Sequence, residues 1–85
     1  MPVISEFWGI VITMFWGDHS PPHFHAKYGG HEVMIEIESL KVTGKFPKKA
    51  LKSVLAWARL HNEDLRENWN LAESHEILKR ISPLE

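Results

Sequence analysis

The feature that most constrains this chain is a glycine pair, Gly29-Gly30, set between two runs of alternating residues. Upstream lies His23-Phe24-His25-Ala26-Lys27-Tyr28; downstream, Val33, Ile35 and Ile37 alternate with Glu32, Glu36 and Glu38. Alternation with a period of two marks a strand, and a two-residue glycine connection suits the primed hairpin turn, whose geometry favours positive φ. Such a turn fixes the register. Tyr28 then faces His31, Lys27 faces Glu32, Ala26 faces Val33, His25 faces Met34, Phe24 faces Ile35 and His23 faces Glu36. The pairs agree in character: Phe24, Ala26, Val33 and Ile35 make an inward face, while His23, His25, Lys27, Glu32 and Glu36 share the outward one.

Before the hairpin, Phe7 to Trp16 is apolar on both alternating sets, with Trp8, Ile10, Ile12, Met14 and Trp16 opposite Phe7, Val11 and Phe15. This predicts one strand covered on both sides. It stops at Gly17-Asp18-His19-Ser20-Pro21-Pro22, where two prolines remove ladder donors and the chain must loop out. Lys41 to Phe46, with Gly44, reads as a further turn, and Pro47 suits the first turn of a helix. Leu51, Val54, Leu55 and Ala58, then Leu65 and Trp69, keep near-helical spacing. Asn62-Glu63-Asp64 either kinks this helix or starts a second. From Ser74 onward, Ile77, Leu78, Ile81 and Leu84 around Pro83 predict a docked extended tail. The expected architecture is therefore α+β: one domain over 1–85, with a three-stranded antiparallel β-meander (3–43), one long or two short helices (47–73) on one sheet face, and a docked tail (74–85).

Composition narrows the class. Eighty-five residues hold one core and one active face. Without cysteine, disulfides and thiolate zinc sites are excluded, as suits a cytoplasmic protein. Packing must then supply stability, and four Trp, four Phe and one Tyr are available for it. A net charge of -1 gives no global field toward nucleic acid or acidic membranes, and the run from Phe7 to Trp16 is too short to span a bilayer.

Chemistry concentrates in Asp18, His19, His23 and His25, which lie within eight positions; His23 and His25, two apart on a strand, point the same way. Three imidazoles, or two plus Asp18 or Glu36, could form a zinc-type ligand set with an open position, although histidines beside prolines also serve simply as turn caps. Without metal, the same imidazoles could perform acid–base work on a phosphodiester, with Lys27 offsetting the developing charge. The plainer reading of Lys27 is an exposed ion pair with Glu32. Lys41, Lys45, Lys48, Lys49 and Lys52 gather around the helix start and could hold a phosphate backbone, or form only a solvated face. Trp57 and His61 read as core or half-buried residues, and His75 receives no role. The two apolar faces of the first strand call for a cover: a second copy, another protein, or the C-terminal tail.

With those residues in view, the chain resembles a family of small prokaryotic proteins known as domain of unknown function 4160. The resemblance covers nearly the whole length: Pro2-Val3-Ile4-Ser5 before Gly9-Ile10-Val11-Ile12, the specific string Asp18-His19-Ser20-Pro21-Pro22-His23-Phe24-His25 with Tyr28-Gly29, then Pro47, Trp57, His61, Leu65 and Trp69 before Ile81-Ser82-Pro83-Leu84. Trp16-Gly17 departs from the pattern without touching the motif. Members are often encoded beside a second small protein in an arrangement similar to a toxin–antitoxin pair. The resemblance thus implies a toxin-like role. Joined to the site chemistry above, the leading expectation is the toxin half of a bacterial type II module, cleaving or blocking RNA through His19, His23 and His25, with Glu36 orienting His23 and Lys27, Lys45, Lys48 and Lys49 contacting phosphate. An antitoxin-like cognate protein would cover the hairpin or the first strand. The alternatives are a non-enzymatic partner-binding module, a regulator or the antitoxin-like half, whose Asp18, His19, His23 and His25 hold metal or whose histidines simply cap the loop, and a small metal-dependent hydrolase.

Overall fold

The computed structural model describes residues 2–84; Met1 and Glu85, the ends of the expected domain, lie outside the described residues. Five strands form one antiparallel sheet in chain order: β1 (Val3–Phe7), β2 (Ile10–Thr13), β3 (His23–Tyr28), β4 (His31–Glu36) and β5 (Val42–Lys45). Two helices follow, α1 (Lys48–Leu60) and α2 (Asn62–Glu73). The α+β class and the meander are as expected; the strand count is not. The single strand expected over Phe7 to Trp16 is two strands, folded at Trp8-Gly9, where φ is +51° and +80° and Phe7 pairs with Ile10. Positive φ at both central residues defines a primed hairpin turn. Apolar residues flank this turn on both sides, so no drop in hydrophobicity marks it. The segment expected as a turn, Lys41 to Phe46, contains β5. Gly44 makes that strand possible: its φ is +113°, and a Cβ there would lie 2.9 Å from the Glu32 carbonyl oxygen.

The central hairpin holds the expected register at all six pairs, from His23 opposite Glu36 to Tyr28 opposite His31. Phe24, Ala26, Val33 and Ile35 are buried, as their inward face requires. α1 covers that face with Ala50, Val54, Trp57 and Ala58, and the Trp57 ring centroid lies 5.6 Å from Phe7 and 5.7 Å from Phe24. Burying one Trp side chain hides on the order of 200 Å², so this contact anchors the layer. The helical segment breaks at His61, whose φ and ψ are −113° and 28°. Asn62 then ties α2 to the end of the sheet by donating from Nδ2 to the Ile37 carbonyl at 2.8 Å. α2 buries Leu65, Asn68, Trp69 and Ala72.

The tail docks as an extended segment. The Ile81 N–H donates to the Ile4 carbonyl at 2.7 Å, Trp57 Nε1 donates to the Ser82 carbonyl at 2.8 Å, and Ile81 is buried. Backbone groups on the outer side of β1 thereby gain partners that an edge strand would otherwise take from solvent. No helix among the described residues is long and apolar enough to cross a membrane.

Candidate metal centre

The loop between β2 and β3 brings Asp18 back over the start of β3. Gly17, at φ +65°, makes the bend, and a Cβ there would meet the His75 ring at 3.2 Å. The loop is tied to the tail by Trp16 Nε1, which donates to the Glu76 carbonyl at 2.7 Å, and to the sheet by the Ile37 N–H, which donates to the Pro22 carbonyl at 3.0 Å. Ser20-Pro21 is a cis peptide.

Strand alternation puts His23 on an exposed face. It is instead 2% exposed, because α2 reaches this end of the sheet and its Trp69 ring lies 5.2 Å from the imidazole. Both His23 ring nitrogens face oxygens. Nδ1 lies 2.8 Å from the Pro21 carbonyl and Nε2 lies 2.9 Å from Asp18 Oδ2. A carbonyl only accepts, so Nδ1 carries the proton and donates. In a neutral ring, Nε2 then turns a lone pair toward the carboxylate, an arrangement that needs a cation between them, whether a second proton or a metal ion.

His25 makes the parallel arrangement. Its Nε2 lies 3.6 Å from the same Asp18 oxygen, and its Nδ1 lies 3.5 Å from Glu32 Oε2. That Nε2 is buried with no hydrogen-bond partner. The Phe15 ring packs edge-on at 4.9 Å, shielding the imidazole. Thr13, paired with His25 across β2 and β3, is fully buried, and its hydroxyl is likewise without a partner. Burial pushes the Asp18 carboxyl up, but the His19 N–H bond, the charge and hydrogen bond of His23 and the nearby His25 imidazole outweigh it and hold the carboxyl below its ordinary value.

One ligand atom each from Asp18, His23 and His25 lies within 4.8 Å of the others, so the trio could hold a metal ion. His19, expected in the same set, is outside it: its side chain is 75% exposed, and Nε2 lies 3.8 Å from Asp18 Oδ1. Glu36 does not orient His23. Pro21 and Asp18 occupy that imidazole, while Glu36 Oε1 accepts from Ser39 Oγ at 2.9 Å in the turn after β4. Lys27 lies 4.0 Å from Glu32, and Lys45 pairs with Glu32 in register, so the two cations flank one acid beside the site. Lys48 and Lys49 sit apart, in the first turn of α1. The support that Glu32 gives His25 was missed in the sequence, yet the register holds the signal: Glu32 stands diagonally from His25, two residues before Met34. Thr13 and Trp69 could not be placed that way, because their approach depends on the loop and on α2.

The fold and site define a small α+β protein with an imidazole–carboxylate cluster at one end of an antiparallel sheet. The family described as "Domain of unknown function (DUF4160)" matches residues 9–70, and the chain belongs to it. No curated protein and no solved structure matches the chain.

Proposed function

We propose that Asp18, His23 and His25 form a divalent-metal centre of the zinc type. The carrying observation is convergence: two imidazoles turn Nε2 toward one Asp18 oxygen, while each Nδ1 faces an oxygen of its own, the Pro21 carbonyl at 2.8 Å for His23 and the Glu32 carboxylate at 3.5 Å for His25. Histidines that ligate metal usually donate their other ring N–H in this way, which fixes both tautomer and ring orientation. Ligand bonds of about 2.1 Å in a tetrahedral shell place donor atoms about 3.4 Å apart. The observed 2.9 Å and 3.6 Å straddle that spacing. The buried, unpartnered His25 Nε2 gains its missing interaction on binding.

Three protein ligands leave a coordination position for water or substrate, as in hydrolytic zinc sites. An ion held there would polarise a phosphoryl or carbonyl oxygen and ease deprotonation of water. The test is metal retained after dialysis at neutral pH: one equivalent of zinc in the wild type, with a loss of at least about ten-fold in affinity for Asp18→Ala or His25→Ala, would support the reading. Equal retention in all three would overturn it.

A second reading makes the same cluster the toxic element of a two-protein bacterial module acting on RNA. It is favoured by the exposed His19 ring, 5.3 Å from His23 and open to proton exchange with solvent, and by Lys27 and Lys45 on the same sheet face. A cognate small protein would then cover the hairpin. Growth arrest on induction of the wild type, absent for a folded His23→Ala, His25→Ala double variant, would support this reading. Normal growth at comparable protein levels would count against it.

A further inference from the structure

Two buried polar atoms without partners stand on directly paired residues beside the ligand trio. Thr13 and His25 are opposite each other in the β2–β3 register, so both side chains leave the sheet on one face, with Cβ atoms about 5 Å apart. Thr13 is 0% exposed, and neither its hydroxyl nor His25 Nε2 has a hydrogen-bond partner. On the other side of His25 the register partner is Met34, which brings no hydroxyl.

Packing does not explain Thr13. It is the one polar residue in Ile10-Val11-Ile12-Thr13-Met14-Phe15, where valine would have nearly the same shape and no hydroxyl to satisfy. Buried hydroxyls in native proteins are bonded, with few exceptions, to protein or to ordered water. Ser5, the other buried hydroxyl without a partner, stands opposite Ile12 on the inward face. Among the described residues, then, Thr13 is where an orphaned hydroxyl is paired in register with an orphaned imidazole. One polar body between Thr13 Oγ1 and His25 Nε2 satisfies both, and a hydroxyl, which donates and accepts, suits water. Asp18 Oδ2, 3.6 Å from that Nε2, gives the water a third partner.

We propose that Thr13 is a positioning residue of the metal centre: beside His25, it holds the water that fills the coordination position left by Asp18, His23 and His25. The inference rests on the metal reading above and adds a residue to it. In the metal-free chain Thr13 Oγ1 donates to this water, and the water donates to the His25 Nε2 lone pair. When an ion takes that lone pair, the water passes to the ion and keeps its bond to Thr13. A water tied to a strand residue does not rotate freely, so the centre presents it in one orientation.

The experiment uses cobalt(II), whose visible absorption reports both its ligand geometry and the protonation of a bound water, in the full chain and in Thr13→Val and Thr13→Ser. All three should take up one equivalent, because no protein ligand is changed. The pH midpoint of the visible band should rise by about one unit in Thr13→Val, since a donating hydroxyl bonds the deprotonated form of the water more strongly. Thr13→Ser should keep the wild-type midpoint. The charged groups around the cluster, Asp18, Glu32, Lys27 and the imidazoles, are the same in all three chains. In chelator, Thr13→Val should melt at or below the wild-type temperature, because the water loses a partner. A rise in that melting temperature would mark an unpaired hydroxyl in apolar surroundings and overturn the proposal. So would equal cobalt midpoints in the wild type and Thr13→Val, and either result leaves the metal reading standing. A wild type that takes up no cobalt would overturn both.

Discussion

Asn68→Ala should release the C-terminal tail at a cost that can be worked out bond by bond. Asn68 is 1% exposed within α2, where its Nδ2 donates to the Lys79 carbonyl at 2.8 Å and its Oδ1 accepts the Lys79 N–H at 2.9 Å. Each such bond contributes about 1 kcal/mol net. The orphaned Lys79 backbone can recover part of its hydration, because the residue lies at the surface, while the space left by the amide adds a small cavity term. The sum is about 2–3 kcal/mol. For a domain of this size that lowers the melting temperature by roughly 10–20 °C. Urea unfolding followed by tryptophan fluorescence should show a matching fall in midpoint with little change in slope. Asn68→Asp keeps the acceptor but sets a carboxylate against the Lys79 carbonyl, so it should be no better than alanine. A loss below about 0.5 kcal/mol for both would refute the idea that this amide pins the tail.

Three further outcomes follow from single positions. Gly44→Ala should destabilise the chain by about 2–4 kcal/mol in thermal melts, since the new Cβ meets backbone at Glu32 and the residue keeps a glycine φ. Gly17→Ala, which strains the bend before Asp18, should lower zinc affinity more than it lowers stability, as read by calorimetric titration beside a melt. In chelator-treated protein, Asp18 contributes stability that is fully present above its ordinary carboxylate pKa and is lost as pH falls through the lowered folded value. Asp18→Asn should therefore flatten the acid limb of stability below about pH 4, and an unchanged limb would contradict the assigned partners.

The hairpin was legible because two signals agreed: a glycine pair that fixes a register, and cross-strand partners that match in that register. Ligand convergence was partly legible from the same source, since His23 and His25 share a face by strand periodicity and Asp18 lies on the adjoining loop. Other features depended on chain that arrives from far away. Trp69, far along the sequence from His23, buries that imidazole, and no local pattern announces it. The Trp8-Gly9 turn was hidden by apolar neighbours, which kept the hydrophobic run unbroken across a reversal. β5 was hidden by Gly44, a residue that usually signals a turn and here permits close approach of two strands. His19 belonged to the motif by sequence but not to the cluster, because its side chain leaves the loop toward solvent.

Histidine-selective nitrogen NMR during a zinc titration tests the metal centre most directly, since it reports each ring nitrogen separately. At one equivalent, Nε2 of His23 and of His25 should shift as metal-bound nitrogens while each Nδ1 stays protonated on its oxygen partner, and His31, His61 and His75 should not move. A shift confined to the exposed histidines, or binding through Nδ1 of His23 or His25, would contradict the assignment of Asp18, His23 and His25 as the ligands.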